Sequence, residues 1–499
     1  MTGSVDLLTE LDASFLYMES PQTPMHMGSI GIFEGGPLHD ARGRFRLDEV
    51  RAHVEGRLHL VPKLRKVVRL PVLGGSAPAW MDDPDFDISY HVREAAVPEP
   101  GDDAQLLELC ARLMSSPLDR DHPLWEIWLI DRVAHGRVAV FEMIHHCLAD
   151  GLAGVELASV LLDLEDRHQD DRHTNAMPGW TPAPAPRRAT LIAGGLAKVG
   201  GVVSMLTADV WDAAWHPSRT GRVLSRYAAA FRDLLSPTPL APHSSLNAAI
   251  GFDRRALVVR QRMDDLRRAQ RLFGVTLNDL LLTAVAAGVH DLLSSRGEVM
   301  ENRQLQVLVP VGSDHHDDHR LGNEVSAMFV RLPINAATPA ARLRQVAAVE
   351  RSHKEHGQAR AMNLLLSSLD SLPPAAVWAA SHLVHHQPFV NLVVTNVPGP
   401  DVPLYLLGGR MLEVIPLVPL GGNLSVGVAA ISYNGFFTIG VLVDPDACPD
   451  ADVLIVGIER CFAQFLGSGR SEPVLQAPDE RLRRDISEPN TKASLDTSG

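Results

Sequence analysis

Cysteine is scarce in this 499-residue chain: Cys110, Cys147, Cys448 and Cys461 are the only four, and no two stand in a CxxC spacing. That scarcity excludes a zinc ribbon and favours a reduced, cytoplasmic compartment. Basic charge is short as well. Forty-six Lys and Arg stand against 60 Asp and Glu, a formal net charge of -14, and no basic face for phosphate contacts stands out, so no nucleic-acid partner is expected. No run of 18 apolar residues is free of charge, which excludes a spanning helix, and the start MTGSVDLLTELD lacks the basic-then-apolar pattern of a secretory leader. The GxSxG elbow of a Ser-His-Asp hydrolase is missing too.

What is present describes a globular chain, 45% hydrophobic and 21% charged. Its length exceeds one ordinary core, and two domains of roughly 150 to 250 residues are expected. Residues 1–166 read as the first. Thr9 with Asp12 three residues on is a plausible helix cap, and His26 to Phe33 reads as a strand. Leu47 to Leu60 and Asp103 to Met114 read as helices, and Trp80 to Val92 as an ordered loop or edge strand. Trp125 to Ile130 and Arg137 to Ile144 read as a hairpin closed near His135-Gly136.

Residues 167–245 read as a linker: charged at DRHQDDRH, proline-rich at MPGWTPAPAPRRAT, then small and apolar from Leu191 to Trp215. That last stretch fits either a crossover helix packed on the protein or a segment resting on a lipid surface; Lys198 and Asp209 forbid a span in both cases. Residues 246–467 read as the second domain. Thr276 and Asp279 have capping-box spacing, Gly274 and Gly297 are helix stops, and Asn434-Gly435 is the strongest hairpin signal in the chain. The polar tail 468–499 is read as mobile.

The stretch HHCLADG, His145 to Gly151, follows an apolar strand-like run and precedes a helical one. Adjacent residues on an extended chain point to opposite faces, so only one of His145 and His146 can serve a given substrate. An imidazole there can take a proton from a hydroxyl and return it to a leaving group. Asp150 is suited to holding the turn by pairing with an arginine, and Gly151 to letting the backbone bend. The alternative is a satisfied core histidine beside a helix-capping Asp-Gly turn. A metal site is the rival at SDHHDDH, Ser313 to His319, which lacks regular ligand spacing; no metal is expected.

HHCLADG resembles the HHxxxDG motif of the CoA-dependent acyltransferase superfamily. More specifically, the chain resembles the bacterial wax ester synthase/diacylglycerol acyltransferase family. LDASFLYMESPQTPMHMG is similar to its opening pattern, Pro123-Leu124-Trp125 to its PLW motif, Asn278-Asp279 to its Asn-Asp helix motif, and NVPGP with PLGGNLSVGVAAISYNG to its C-terminal signature. NDLLLTA and VPVGSDHHDDH depart from the usual family wording.

The resemblance implies an α/β fold of two chloramphenicol-acetyltransferase-like domains, with mixed sheets flanked by helices, joined by a crossover linker. Acyl-CoA and an acceptor alcohol would meet in a channel between them. It implies that His146 is the general base, with His145 and Asp150 shaping the site and no acyl-enzyme formed. Asn278 is then the candidate oxyanion donor, while Asp279 has the simpler explanation of a helix cap. Pro123, Leu124 and Trp125 would form core or substrate-channel wall. The implied activity is acyl-CoA-dependent formation of triacylglycerol from diacylglycerol, with wax ester from a long-chain alcohol as a second product. Acyl-CoA is a co-substrate and no cofactor is bound. A peripheral place on the inner membrane face or on lipid droplets follows from such acceptors. A carrier-protein-dependent condensation enzyme and a non-catalytic lipid-binding or droplet protein are the alternatives.

Overall fold

Long β-branched and apolar runs such as RVAVFEMI have no helical period and make strands that need covering on both faces. The computed structural model describes residues 6–70, 78–149, 161–166, 180–184, 240–298, 304–312, 325–336, 338–355, 377–378, 381–382 and 386–467. In the first half lie β1 (Asp6–Leu7), α1 (Glu10–Met18), β2 (His26–Glu34), α2 (Leu47–Arg57), β3 (Lys66–Arg69), β4 (Ala79–Asp82), α3 (Ile88–His91), β5 (Val92–Ala96), α4 (Asp103–Met114), β6 (Trp125–Val133) and β7 (Arg137–His145). The second half holds β8 (Arg255–Arg262), α5 (Met263–Phe273), α6 (Leu277–Ser295), β9 (Gln304–Gly312), β10 (Val325–Pro333), α7 (Pro339–Glu355), β11 (Leu392–Pro398), β12 (Tyr405–Leu406), β13 (Gly409–Leu417), β14 (Val426–Tyr433), β15 (Phe436–Val443) and α8 (Ala451–Gly467).

Two six-stranded mixed sheets result, in the orders β12-β13-β2-β7-β6-β5 and β10-β9-β11-β14-β15-β8, with a small third sheet β1-β4-β3. This is the expected α/β architecture of two mixed sheets with helices. The hairpin β6–β7 is antiparallel with Trp125 opposite Ile144. The hairpin β14–β15 turns at Asn434 and Gly435, with φ of 43° and 86°, the left-handed pair that a two-residue turn requires.

Helix ends follow the local chemistry. Thr9 Oγ1 accepts the Asp12 N–H at 3.0 Å, Asp102 and Gln105 form a capping box on α4, and Thr276 and Asp279 form one on α6. The segment read as a loop or edge strand, Trp80 to Val92, instead supplies β4 and the single turn α3. Asp87 caps that turn by accepting the Ser89 N–H, and β4 pairs with its sequence neighbour β3 and with the distant β1 at the start of the chain.

The sheets do not follow the division near residue 246. β13 leaves the second half and pairs antiparallel with β2, Val414 opposite Gly31 and Leu417 opposite Gly28, extending the first sheet. Where it passes β15, a Cβ on Gly440 would lie 1.8 Å from the Pro416 carbonyl oxygen, so only glycine allows the crossing. Arg260 of β8 reinforces the junction, reaching Asp103 of α4 at 2.8 Å and Glu413 of β13 at 2.6 Å. Arg254 also donates to the Gln22 carbonyl, on the turn that leads into β2.

Candidate active site

The end of β7 is held by its neighbours' backbones. His145 N–H donates to Leu124 O at 3.0 Å and His146 N–H to Met25 O at 2.8 Å, after which Leu148 N–H closes a turn onto His145 O at 2.9 Å. The two imidazoles therefore leave the sheet on opposite faces, and their surroundings differ completely.

His145 is fully buried, with one ring nitrogen hydrogen-bonded and the other set against a carboxylate. Nδ1 accepts the Cys147 N–H at 3.1 Å, which places the ring proton on Nε2, and Nε2 faces Glu19 Oε1 at 3.4 Å. Burial works against the Glu19 carboxylate, but its contacts with His145 and Arg120 outweigh that cost and hold it down at about 2. Arg120 donates to Glu19 Oε2 through Nε at 3.1 Å and Nη2 at 2.7 Å, and to the Leu16 carbonyl at 2.8 Å. Glu19 Oε1 also accepts the Met25 N–H at 3.2 Å. One carboxylate thus joins the end of α1, the entry to β2, the end of β7 and the segment before β6.

His146 keeps partial exposure, and its ring stacks on Phe15 of α1 with centroids 4.0 Å apart and planes 9° from parallel. Phe15 and Glu19 lie four residues apart, so α1 presents one side chain to each histidine. The neighbouring thiol is no rival nucleophile. Cys147 is completely buried, and burial, with Asp12 and Glu19 nearby, pushes it well above the ordinary thiol range. His26, opposite His145 on β2, is also completely buried; desolvation, with His145 nearby, drops it to about 4, so it stays neutral.

The PLW residues support the strand end. Leu124 and Trp125 are buried at 1% and 2% exposure, and Leu124 supplies the carbonyl for His145. The Trp125 indole N–H donates to Leu64 O at 2.8 Å while its ring stacks on His91 at 4.4 Å. Leu124 and Trp125 both pack into the hydrophobic core around the first sheet.

Asn278 sits in the first turn of α6, where its amide donates to Glu350 Oε2 of α7 at 3.4 Å. Asp279 is the helix cap: its carboxylate accepts the Thr276 N–H at 2.7 Å. Asp150, Gly151, the loop Ser313 to His319 and the stretch Leu191 to Trp215 lie outside the described residues. Phe15, Glu19, Arg120 and His26 escaped sequence reasoning, although each lies in or beside the motif segments LDASFLYMES, PMHMG and DHPLW.

Models of two domain families match the chain: the wax ester synthase/diacylglycerol acyltransferase catalytic domain over residues 8–281 and the WS/DGAT C-terminal domain over residues 321–465. The chain belongs to the wax ester synthase/diacylglycerol acyltransferase family. Among its relatives, the probable diacylglycerol O-acyltransferase tgs1 of Mycobacterium tuberculosis is 32% identical over 484 residues, covering 94% of this chain and 97% of the relative. The putative diacylglycerol O-acyltransferase Rv1760 of the same organism is 31% identical over 486 residues, covering 94% and 92%.

The family fold is also that of solved structures. The wax ester synthase/diacylglycerol acyltransferase from Marinobacter aquaeolei VT8 superposes with a TM-score of 0.64 at 21% identity, covering 93% of this chain and 100% of that one. The first condensation domain of the calcium-dependent antibiotic synthetase gives 0.58 at 15% identity, covering 95% and 98%. In this family member, then, the motif's first histidine is completely buried in the scaffold, and the second keeps partial exposure beside Phe15.

Proposed function

We propose that this family member is an acyl-CoA-dependent O-acyltransferase that makes triacylglycerol from diacylglycerol and takes long-chain alcohols as a second acceptor, giving wax esters. The observation that carries the reading is the division of labour between the two histidines, in a chain whose relatives are named diacylglycerol O-acyltransferases. His145 is completely buried with Nε2 turned toward Glu19, away from any substrate, which supports His146 as the general base.

His146 takes the proton of the acceptor hydroxyl as the oxygen attacks the thioester carbonyl of acyl-CoA. A tetrahedral oxyanion forms, its collapse breaks the C–S bond, and the imidazolium returns the proton to the departing CoA thiolate. No acyl-enzyme is required, in keeping with a Cys147 thiol that burial holds protonated. The flat stack on Phe15 fixes the ring plane, so the base does not spend its reaction time reorienting. Asn278 remains the candidate oxyanion donor, its amide N–H held meanwhile by Glu350. The acceptors are lipids, so we assign the protein a peripheral place on the inner membrane face or a droplet surface. Among the described residues no single helix is long and apolar enough to cross a membrane.

Purified protein given long-chain acyl-CoA with diacylglycerol or a fatty alcohol is expected to release CoA and form the matching ester, read by thiol titration and product mass. His146→Ala lowers kcat about 10²- to 10⁴-fold, and Asn278→Ala about 10²- to 10³-fold with little change in KM. Near-wild-type turnover by His146→Ala would overturn the mechanism. An unchanged kcat for Asn278→Ala would remove that residue from it.

A further inference from the structure

One carboxyl stands inside the first sheet without a role in the chemistry above. Glu142 of β7 is flanked by Ser29 of β2 on one side and Ile127 of β6 on the other. Residues two apart on a strand share a face, and the ladder continues past His145 through the His146 N–H to Met25 O bond. Glu142, Ile144 and His146 therefore line one face, with His145 on the other. Four residues at about 3.3 Å each put Glu142 about 13 Å along that face from the base.

This face is not sealed. Met27, Ser29, Glu142 and Pro416 all keep partial exposure, whereas Ile30, Ala139 and Phe141 on the opposite face are at 0%. Yet burial pushes the Glu142 carboxyl up to about 7, and desolvation is the whole cause. A carboxyl that protein surrounds but that still touches open space is within reach of a ligand group. Among the described residues neither Glu142 nor Ser29 finds a hydrogen-bond partner, and polar groups inside a sheet normally have one.

We propose that Glu142 and Ser29 form a polar subsite on the channel wall that binds an ester carbonyl of an acylated-glycerol acceptor while His146 holds its free hydroxyl. The Glu142 carboxyl O–H donates to the carbonyl oxygen, and the Ser29 hydroxyl is the second donor. The ester carbonyls of a diacylglycerol lie five or six bonds from its free hydroxyl, about 7 Å when extended, and a hydrogen bond of about 2.8 Å at each end carries the reach to about 13 Å. A long-chain alcohol carries none, so the pair selects the glyceride. This rests on the acyl-transfer reading above and deepens it. The face carries Met27 and Ser29 from β2, Trp125 and Ile127 from β6 and Pro416 from β13. Its other titratable groups are His146, Glu94 of β5, opposite Leu129, and His91, stacked on Trp125.

The test is the ratio of kcat/KM for diacylglycerol to that for a fatty alcohol, followed from pH 6 to about 8.5; titration of His146 affects both acceptors and cancels in the ratio. In the wild type the ratio falls as pH rises through about 7, where Glu142 loses its donor proton. Glu142→Gln keeps a donor that does not titrate, so the ratio stays and the slope disappears. Glu142→Leu lowers the ratio about tenfold, and if that variant fails to fold, the Glu142→Gln profile decides alone. A flat wild-type ratio, a slope that survives in Glu142→Gln, or an unchanged ratio in folded Glu142→Leu would overturn the subsite. Failure of the wild type to esterify either acceptor would sink the acyl-transfer reading instead.

Discussion

In the first sheet the central strands β2 and β7 place His26, Ser29, Glu142 and His145 between their apolar neighbours. In the second sheet β14 and β15 place Val426, Val428, Ala430, Ile439 and Val441, all at 0% exposure, in an uninterrupted apolar lattice beneath α6 and α8. The strand number and mixed pairing are the same. The first sheet takes ionisable groups into its interior, with the desolvation that implies, whereas the buried polar groups on the second sheet's strands, Gln306 and Thr438, are uncharged. Rate should therefore respond to the first sheet and stability to the second.

The comparison breaks most visibly in the second sheet's core. Phe437→Ala on β15, a completely buried ring, is expected to cost about 3–5 kcal/mol of unfolding free energy. Its kcat should stay near wild type at temperatures where it remains folded, and denaturant titration beside an activity assay checks both. A comparable collapse of kcat in the folded variant would mean that the second sheet shapes the chemistry directly.

Arg120→Met addresses the clamp on His145. It leaves the Glu19 carboxylate, 4% exposed, without its cation, at a cost of about 1–3 kcal/mol. The sign with pH is fixed by the low Glu19 value of about 2: its stabilising contribution is complete above the ordinary carboxylate range and is lost as pH falls through about 2. His26 and His91, both lowered to about 4 chiefly by desolvation, act earlier. Their contribution is complete above their ordinary value of 6.5 and declines as pH falls from 6.5 toward 4. Unfolding midpoints across pH should show the His window in both proteins, with the acid loss below it smaller and ending at higher pH in Arg120→Met. The smallest effect is expected at Thr276→Ala, which removes one half of the α6 capping box for about 1 kcal/mol and leaves the acceptor ratio unchanged.

Features set by neighbours in sequence were legible: the caps at Thr9 and Thr276, the Asn434-Gly435 turn, and the apolar strand Arg137 to Ile144. Each is decided within a few residues by turn chemistry or strand period. The local rule also explains Asp279, whose carboxylate serves the helix cap. What could not be read depends on meetings across the chain. Glu19 touches His145 and Arg120 only because α1 is laid across the ends of β2 and β7. The single turn α3 replaced an expected loop because Asp87 had a backbone donor to accept from. Nor did the pattern of FEMI mark Glu142 as interior, since an acidic residue in an apolar run reads equally well as a solvated position.

The pairing of β13 with β2 has a consequence for synthesis. Gly28 to Phe33 is made early, but the strand that covers its outer edge, Met411 to Leu417, leaves the ribosome almost four hundred residues later. Until then β2 presents an open row of backbone donors and acceptors next to the future catalytic turn, the kind of edge that recruits foreign strands. Closing it needs a long-range contact, which is slow to form. The nascent first domain is thus a natural client for chaperones, and its sheet is completed only when nearly the whole chain has emerged.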